Sequence, residues 1–296
     1  MIFLRQSHKV KPKQWGPPSE VKSSIFKNAE RMGIDPRLFP FYFPLWDRAG
    51  FFGKDIFGTP TERGYNSGGA PEWRNDRSYF YQTSHGGMCD VVTINAGAFI
   101  KGTPTGAMHL LFDITGQALA GSQHFILNAP ATAYNGTLTL FYNNLTGYVK
   151  ITDTGGYYAQ VTFPYVYGEK LSLFVLWDRR TPLGLYGFLN GLPLGAATGN
   201  GMRYNAGENF SADFLLGARG SYNPVKYYGY RGNIDSIWMS SENLVNKAPS
   251  IASNLFDNPY ALLQRVAPVT YFDQAESGGS TLSPNIINYY KQRRAS

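Results

Sequence analysis

Residues 136–163 read GTLTLFYNNLTGYVKITDTGGYYAQVTF, and their alternation decides the fold class. Leu138, Leu140 and Tyr142 alternate with Thr137, Thr139 and Phe141. Beyond a turn over 143–147, Val149 and Ile151 alternate with Tyr148, Lys150 and Thr152. After Asp153-Thr154-Gly155-Gly156, Tyr157, Ala159, Val161 and Phe163 alternate with Tyr158, Gln160 and Thr162. Successive side chains of a strand point to opposite faces, so a period of two between turn residues marks strands buried on one side. The stretch predicts a three-stranded antiparallel meander.

Outward from it, strand-sized apolar segments recur at 91–95, 107–114, 124–127, 171–177, 185–189, 214–216 and 234–239. Many short strands with scarcely any helix between them predict an all-β protein, an antiparallel β-sandwich or jelly roll, over a parallel α/β sheet. No internal repeat of fixed period is present, which disfavours a propeller or solenoid. Helix signals are confined to the ends. Val21, Ile25 and Phe26 follow Ser19 as a cap and are stopped by Gly33 and Pro36, whereas Pro249 opens a second helix with Ile251 and Leu255 on one side and Asn258-Pro259 closing it. Residues 39–46, FPFYFPLW, are too apolar for a free linker and too proline-rich for a central strand, so an edge strand or belt is expected. Residues 50–69 read as a long loop. The expected organisation is an N-terminal arm with a short helix over 1–39, a sandwich over 40–272 and a basic C-terminal arm over 273–296.

Composition narrows the function. The chain has 296 residues, of which 43% are hydrophobic, 16% aromatic and 16% charged. That balance suits a folded protein and excludes a disordered one. No apolar run approaches the ~18 residues of a membrane span, so no membrane insertion is expected. The apolar Met1-Ile2-Phe3-Leu4 precedes the first basic residues, the reverse of a secretory signal, which predicts cytosolic residence. Cys89 is the single cysteine and leaves no intrachain disulfide. The net charge of +7 is scattered except at Lys9, Lys11 and Lys13 and at Lys291, Arg293 and Arg294. Phosphate binding asks for a clustered basic face, and no nucleic-acid module accompanies these residues, so no nucleic-acid partner is expected. The two ends instead suit arms that attach to acidic protein surfaces, with Phe3, Arg5 and Trp15 at one end and Tyr289, Tyr290, Arg293 and Arg294 at the other.

Catalytic signatures are lacking. A glycoside hydrolase needs two carboxylates flanking one bond, and the glutamates stand apart, with no Glu-x-Asp-x-Glu spacing. His8, His85, His109 and His124 lack metal-ligand spacing, and no serine occupies a nucleophile elbow. A non-enzymatic protein is expected, with hydrolase the weaker alternative. No cofactor is expected either; Asp178 and Asp235 are the residues a calcium ion would use. Tyr158, Tyr165, Tyr167, Tyr227, Tyr228, Tyr230 and Arg231 form an aromatic supply suited to protein interfaces or to stacking on sugar rings.

Four segments carry a resemblance: Leu171-Ser172-Leu173-Phe174-Val175-Leu176-Trp177-Asp178, Leu185-Tyr186-Gly187-Phe188-Leu189-Asn190-Gly191, Gly232-Asn233-Ile234-Asp235-Ser236-Ile237-Trp238-Met239, and the ending Leu255-Phe256-Asp257-Asn258-Pro259-Tyr260-Ala261-Leu262-Leu263 with Pro268 and Tyr271-Phe272. With Phe43-Pro44-Leu45-Trp46-Asp47-Arg48-Ala49-Gly50 as a first strand, the chain resembles the concanavalin A-like (laminin G-like) jelly-roll proteins of tailed phages and prophages. Lys54-Asp55-Ile56-Phe57-Gly58 departs from the Gly/Asn/His-rich loop usual after that strand, and Ser250-Ile251 stands where an acidic residue often precedes the helix. The resemblance implies a virion structural protein, decorating the capsid surface or placed in the tail or fibre after synthesis in the host cytoplasm. It implies contacts with other virion proteins, a homo-oligomer, and no catalytic residues. A glycan-binding module for host recognition is the alternative.

Overall fold

The computed structural model describes residues 18–38, 41–44, 61–63, 72–74, 77–80, 92–94, 103–116, 123–128, 137–153, 155–204, 214–217 and 230–264. The proposed arm residues Phe3, Arg5, Trp15, Tyr289, Tyr290, Arg293 and Arg294 lie outside these, as do Tyr227 and Tyr228. The chain divides into two units, Met1–Arg265 and Val266–Ser296, and the second lies outside the described residues.

Two antiparallel sheets make the sandwich. Sheet I runs β13 (Leu192–Pro193), β12 (Leu185–Leu189), β11 (Lys170–Asp178), β6 (Thr105–Asp113), β15 (Gly232–Ser240), β4 (Arg77–Phe80), β3 (Glu72–Arg74), with β1 (Phe41–Pro44) also on β15. Sheet II runs β10 (Tyr158–Pro164), β9 (Thr146–Thr152), β8 (Thr137–Asn143), β7 (His124–Asn128), β14 (Phe214–Leu216), β5 (Val92–Ile94), β2 (Thr61–Arg63). The meander read from 136–163 is β8–β9–β10, with Leu140 opposite Val149 and Val149 opposite Val161. Its inward side, Leu138, Leu140, Tyr142, Val149, Ile151, Ala159, Val161 and Phe163, is buried against sheet I.

Sheet I is covered on both faces. Leu110, Phe112, Leu173, Val175 and Trp177 face sheet II, while Ala107, Leu111, Phe174, Leu176 and Trp238 meet a helical layer. That layer consists of α1 (Pro18–Arg31), α2 (Ala248–Asp257) and a 3₁₀ turn at Ala261–Leu263, contributing Ile25, Ala29, Ile251, Leu255 and Leu262. Double burial explains why 173–177 is a continuous apolar run and not an alternating one. A side-chain clasp closes the layer: Asn28 Nδ2 donates to the carbonyls of Leu262 at 3.1 Å and Gln264 at 2.8 Å.

The expected edge position of 39–46 holds for β1, which shares one side of β15 with β4. Two expectations need correction. Ser19 lies inside α1 and does not cap it, and the loop read over 50–69 contains β2, which pairs with β5. At the β12–β13 turn, Asn190 (φ 50°) and Gly191 (φ 80°) have the left-handed conformations of a tight hairpin. A Cβ on Gly191 would stand 2.8 Å from Phe256 of α2, so the turn is also where the helix packs. No described helix is long and apolar enough to cross a membrane.

Candidate functional site

The aromatic residues singled out in the sequence separate into two groups. Tyr165 is buried; its hydroxyl donates to the Asn144 carbonyl, and its ring meets Tyr142 edge-on at 5.6 Å. Tyr230 is buried too, its hydroxyl proton within hydrogen-bond reach of the carbonyls of Asp113 and of Asn233, the latter at 2.9 Å. Neither offers a ring for stacking, which corrects that expectation. Both lie just outside strands, where alternation no longer predicts the facing. Tyr167 packs partly on the core with its hydroxyl 3.2 Å from the Asn144 carbonyl. The Arg231 carbonyl accepts from the Thr115 amide at 3.0 Å, so Arg231 also works in the scaffold.

Asp178 and Asp235 do not form a calcium site. Asp178 is gripped by Arg180 (Nε to Oδ1 2.8 Å, a terminal nitrogen to Oδ2 2.7 Å), and these hydrogen bonds hold its carboxyl below the usual range. Asp235 is buried, 2.5 Å from Lys170 Nζ and 3.1 Å from the Tyr260 hydroxyl. Lys170 and Asp178 end the same strand at opposite poles, opposite Asp113 and Thr105 respectively, so the two aspartates do not converge. No group of three or more His, Cys, Asp or Glu residues suited to a metal occurs among the described residues.

Other acidic groups are likewise engaged. Asp113 accepts from Asn233 at 3.0 Å, Glu242 takes the Asp35 amide at 2.7 Å and Lys247 Nζ at 2.9 Å, and Asp35 binds Arg37. The depression lined by Glu30, Asp35, Arg37, Glu242 and Lys247 is therefore largely satisfied within itself. His109 Nε2 lies 2.9 Å from Ser172 Oγ beneath the helical layer, and burial lowers its pKa to about 3.

One loop cluster at the end of the sandwich differs. It joins the β9–β10 connection, the β11–β12 connection and residues 198–204, and it is founded on Arg179 and Asp153, both enclosed. Arg179 Nε donates to Asp153 Oδ1 at 2.7 Å, while Asp153 Oδ2 accepts the Arg203 amide at 2.7 Å. Residues 198–204 are fixed alongside β10 by paired 2.8 Å bonds between Gln160 and Thr198 and by Asn200 Oδ1, which takes the Tyr158 amide at 2.7 Å. On this base the Arg203 guanidinium lies 3.7 Å above the Tyr157 ring and Lys150 Nζ 4.1 Å above the Tyr158 ring. Arg203 is exposed, and Tyr157, Tyr158 and Lys150 are half-buried. Of this cluster the sequence pointed to Tyr158 alone. Arg203 belongs to no motif, and its proximity to Tyr157 arises from the fold.

No family model matches the chain, and no curated protein matches it. Solved structures do. A structure of botulinum neurotoxin type C concerning cell entry dependent on two ganglioside molecules matches at 10% identity and a TM-score of 0.55, over 74% of this chain and 52% of that one. The botulinum neurotoxin serotype D ligand-binding domain with N-acetylneuraminic acid matches at 11% and 0.51, over 73% and 50%. A Trypanosoma rangeli sialidase matches at 14% and 0.54, over 75% and 33%. The chain thus spans about half the toxin chains and a third of the sialidase. These likenesses establish the fold class, a lectin-like β-sandwich.

Proposed function

We propose that this chain is a non-enzymatic virion component of a tailed phage, on the capsid surface or in the tail or fibre, whose lectin-like sandwich makes contacts with other proteins. The observation that carries this reading is where the phage-like segments fall. Residues 171–178, 185–191 and 232–239 build β11, β12 and β15, residues 43–44 belong to β1, and 255–263 close the helical layer. All belong to sheet I or to its cover, so the resemblance follows one cooperative structural unit. The engagement of Asp35, Asp113, Asp153, Asp178, Asp235 and Glu242 by structural partners supports the non-enzymatic part of the reading. The basic flanks serve as attachments. Mass spectrometry of purified virions is expected to find the protein in a fixed multiple copy number, with incorporation reduced when 1–17 or 285–296 is deleted. Its absence from particles overturns the reading. On a panel of β-glucans and bacterial polysaccharides, turnover abolished by one Asp or Glu substitution overturns the non-enzymatic part.

A second reading, recognition of a surface glycan, is favoured by the exposed pairing of Tyr157 with Arg203 and Tyr158 with Lys150. It also agrees with the ganglioside and N-acetylneuraminic acid named for the toxin domains of like fold. Binding on a glycan array supports it, and an array with no bound glycan removes it.

A further inference from the structure

We propose that the loop cluster around Arg203, Tyr157 and Asn200 is a binding site for a carboxylate-bearing sugar. This rests on the glycan-recognition reading and goes further by naming the chemical class and the residues that select it.

The charge distribution leads to the class. Arg37, Lys170, Arg179, Arg180 and Lys247 each grip a carboxylate. Arg203 and Lys150 instead lie on tyrosine rings, and among the described residues no carboxylate pairs with either. The acids nearest in the cluster are already used: Asp153 spends one oxygen on Arg179 and the other on the Arg203 amide, and Asp178 is held by Arg180. Arg203 is therefore left without a counter-charge at this exposed pole, as Lys150 is on the outer face of sheet II.

The stacking defines what they can hold. Held with its central carbon 3.7 Å from the centre of the Tyr157 ring, the exposed guanidinium has N–H donors available, and a guanidinium can meet a carboxylate with two parallel hydrogen bonds. Tyr157 thus serves to orient Arg203 and not to cover it. Beside this fork, Asn200 has its Oδ1 committed to the Tyr158 amide, which fixes its Nδ2 with only a 3.5 Å contact to the Gly156 carbonyl. That amide donor suits a sugar hydroxyl or an N-acyl oxygen. At Gly156 an added Cβ would meet nothing within 4 Å, so a ligand can approach the backbone there. The Tyr157 ring, the Asn200 amide and the Arg203 guanidinium, on the β9–β10 connection and residues 198–204, match the apolar face, hydroxyls and acid group of a single sugar residue.

An acidic peptide fits less well. Extended peptides bind by adding a strand to an open sheet edge. Here β10 is the edge of sheet II, and its Gln160 already pairs with Thr198 on that side.

The test uses the full chain with four immobilised polymers: polysialic acid, polygalacturonate, neutral dextran and poly-L-glutamate, at an ionic strength of about 0.15 M, where diffuse charge attraction is screened beyond ~8 Å. Retention is expected on polysialic acid or polygalacturonate and not on dextran or poly-L-glutamate. Arg203→Gln should weaken it at least ~10-fold and Tyr157→Leu by a similar factor, whereas Lys150→Gln, on the outer face of sheet II, should leave it within ~2-fold. Arg203→Lys should fail to restore it, because an ammonium cannot replace the planar fork. Unchanged melting temperatures identify these as losses of contact and not of fold. Equal retention on poly-L-glutamate, or wild-type affinity in Arg203→Gln, overturns the inference. If the array shows neutral glycans bound equally by wild type and variants, glycan recognition stands and this site falls. If no glycan of any kind is bound, both fall.

Discussion

Arg179 and Asp153 show how much a single enclosed contact can govern. Both side chains have 0% exposure, and Asp153 also holds the amide of Arg203. Removing one partner leaves the other charge buried and uncompensated, at a cost of about 3–5 kcal/mol. Asp153→Ala is expected to lower the urea midpoint accordingly and to release residues 198–204, seen as faster amide exchange there. His109 supplies a pH dependence. Its folded pKa of about 3 lies below the ~6.5 of an unfolded chain, so between those values the unfolded state binds the extra proton. Stability therefore falls as pH drops through that window, at up to ~1.4 kcal/mol per pH unit. Between pH 7 and pH 5 the wild type should lose about 2 kcal/mol more than His109→Gln in urea titrations. At this scale the sequence was least informative. Tyr158 was placed correctly because it sits within an alternating strand, whereas Tyr165 and Tyr230 lie beyond strand ends and turned inward. The partners of Asp178 and Asp235 come from a neighbouring residue and a different strand respectively, and only the Arg180 contact is local enough to read from the chain.

Gly147 of β9 stands beneath the ring of Phe163 on β10, its register partner, and a side-chain Cβ there would collide with that ring. Gly147→Ala should displace Phe163 from the core and cost about 1–3 kcal/mol by overpacking, measurable as a lower melting temperature. Phe163→Leu in the same chain should recover part of the loss, since the smaller side chain vacates the clash. Elements with a long, one-sided pattern were legible: β8, β9 and β10 follow the alternation, and β12 and β14 coincide with their apolar runs. β2, β3, β4 and β13 span two to four residues, too few for a period to be recognised. The helices were legible as helices, but their role as a third layer was not. What reveals it in the sequence is indirect: the unbroken apolar run 173–177 within β11 demands a cover on each face.

For the molecule as a whole, the expected far-UV circular dichroism is β-dominated, with helix well below the roughly one-third of an ordinary globular protein. The layer order also predicts which shortened chains fold. Ending the chain after Gln264 keeps the Asn28 clasp and should preserve a cooperative melt. Ending it after Asn243 strips α2 and the 3₁₀ turn from Leu111, Phe174, Leu176 and Trp238, and that exposed apolar face should drive aggregation. A cooperative, soluble 1–243 chain would contradict the three-layer account.

The clasp has a directional consequence. Pro18 opens α1 and Gln264 follows the last 3₁₀ turn, so the polypeptide both enters and leaves the sandwich through the helical layer. Both of these ends therefore lie on the helical side of sheet I. The outer surface of sheet II, with Lys150, Tyr158 and Gln160, looks away from it.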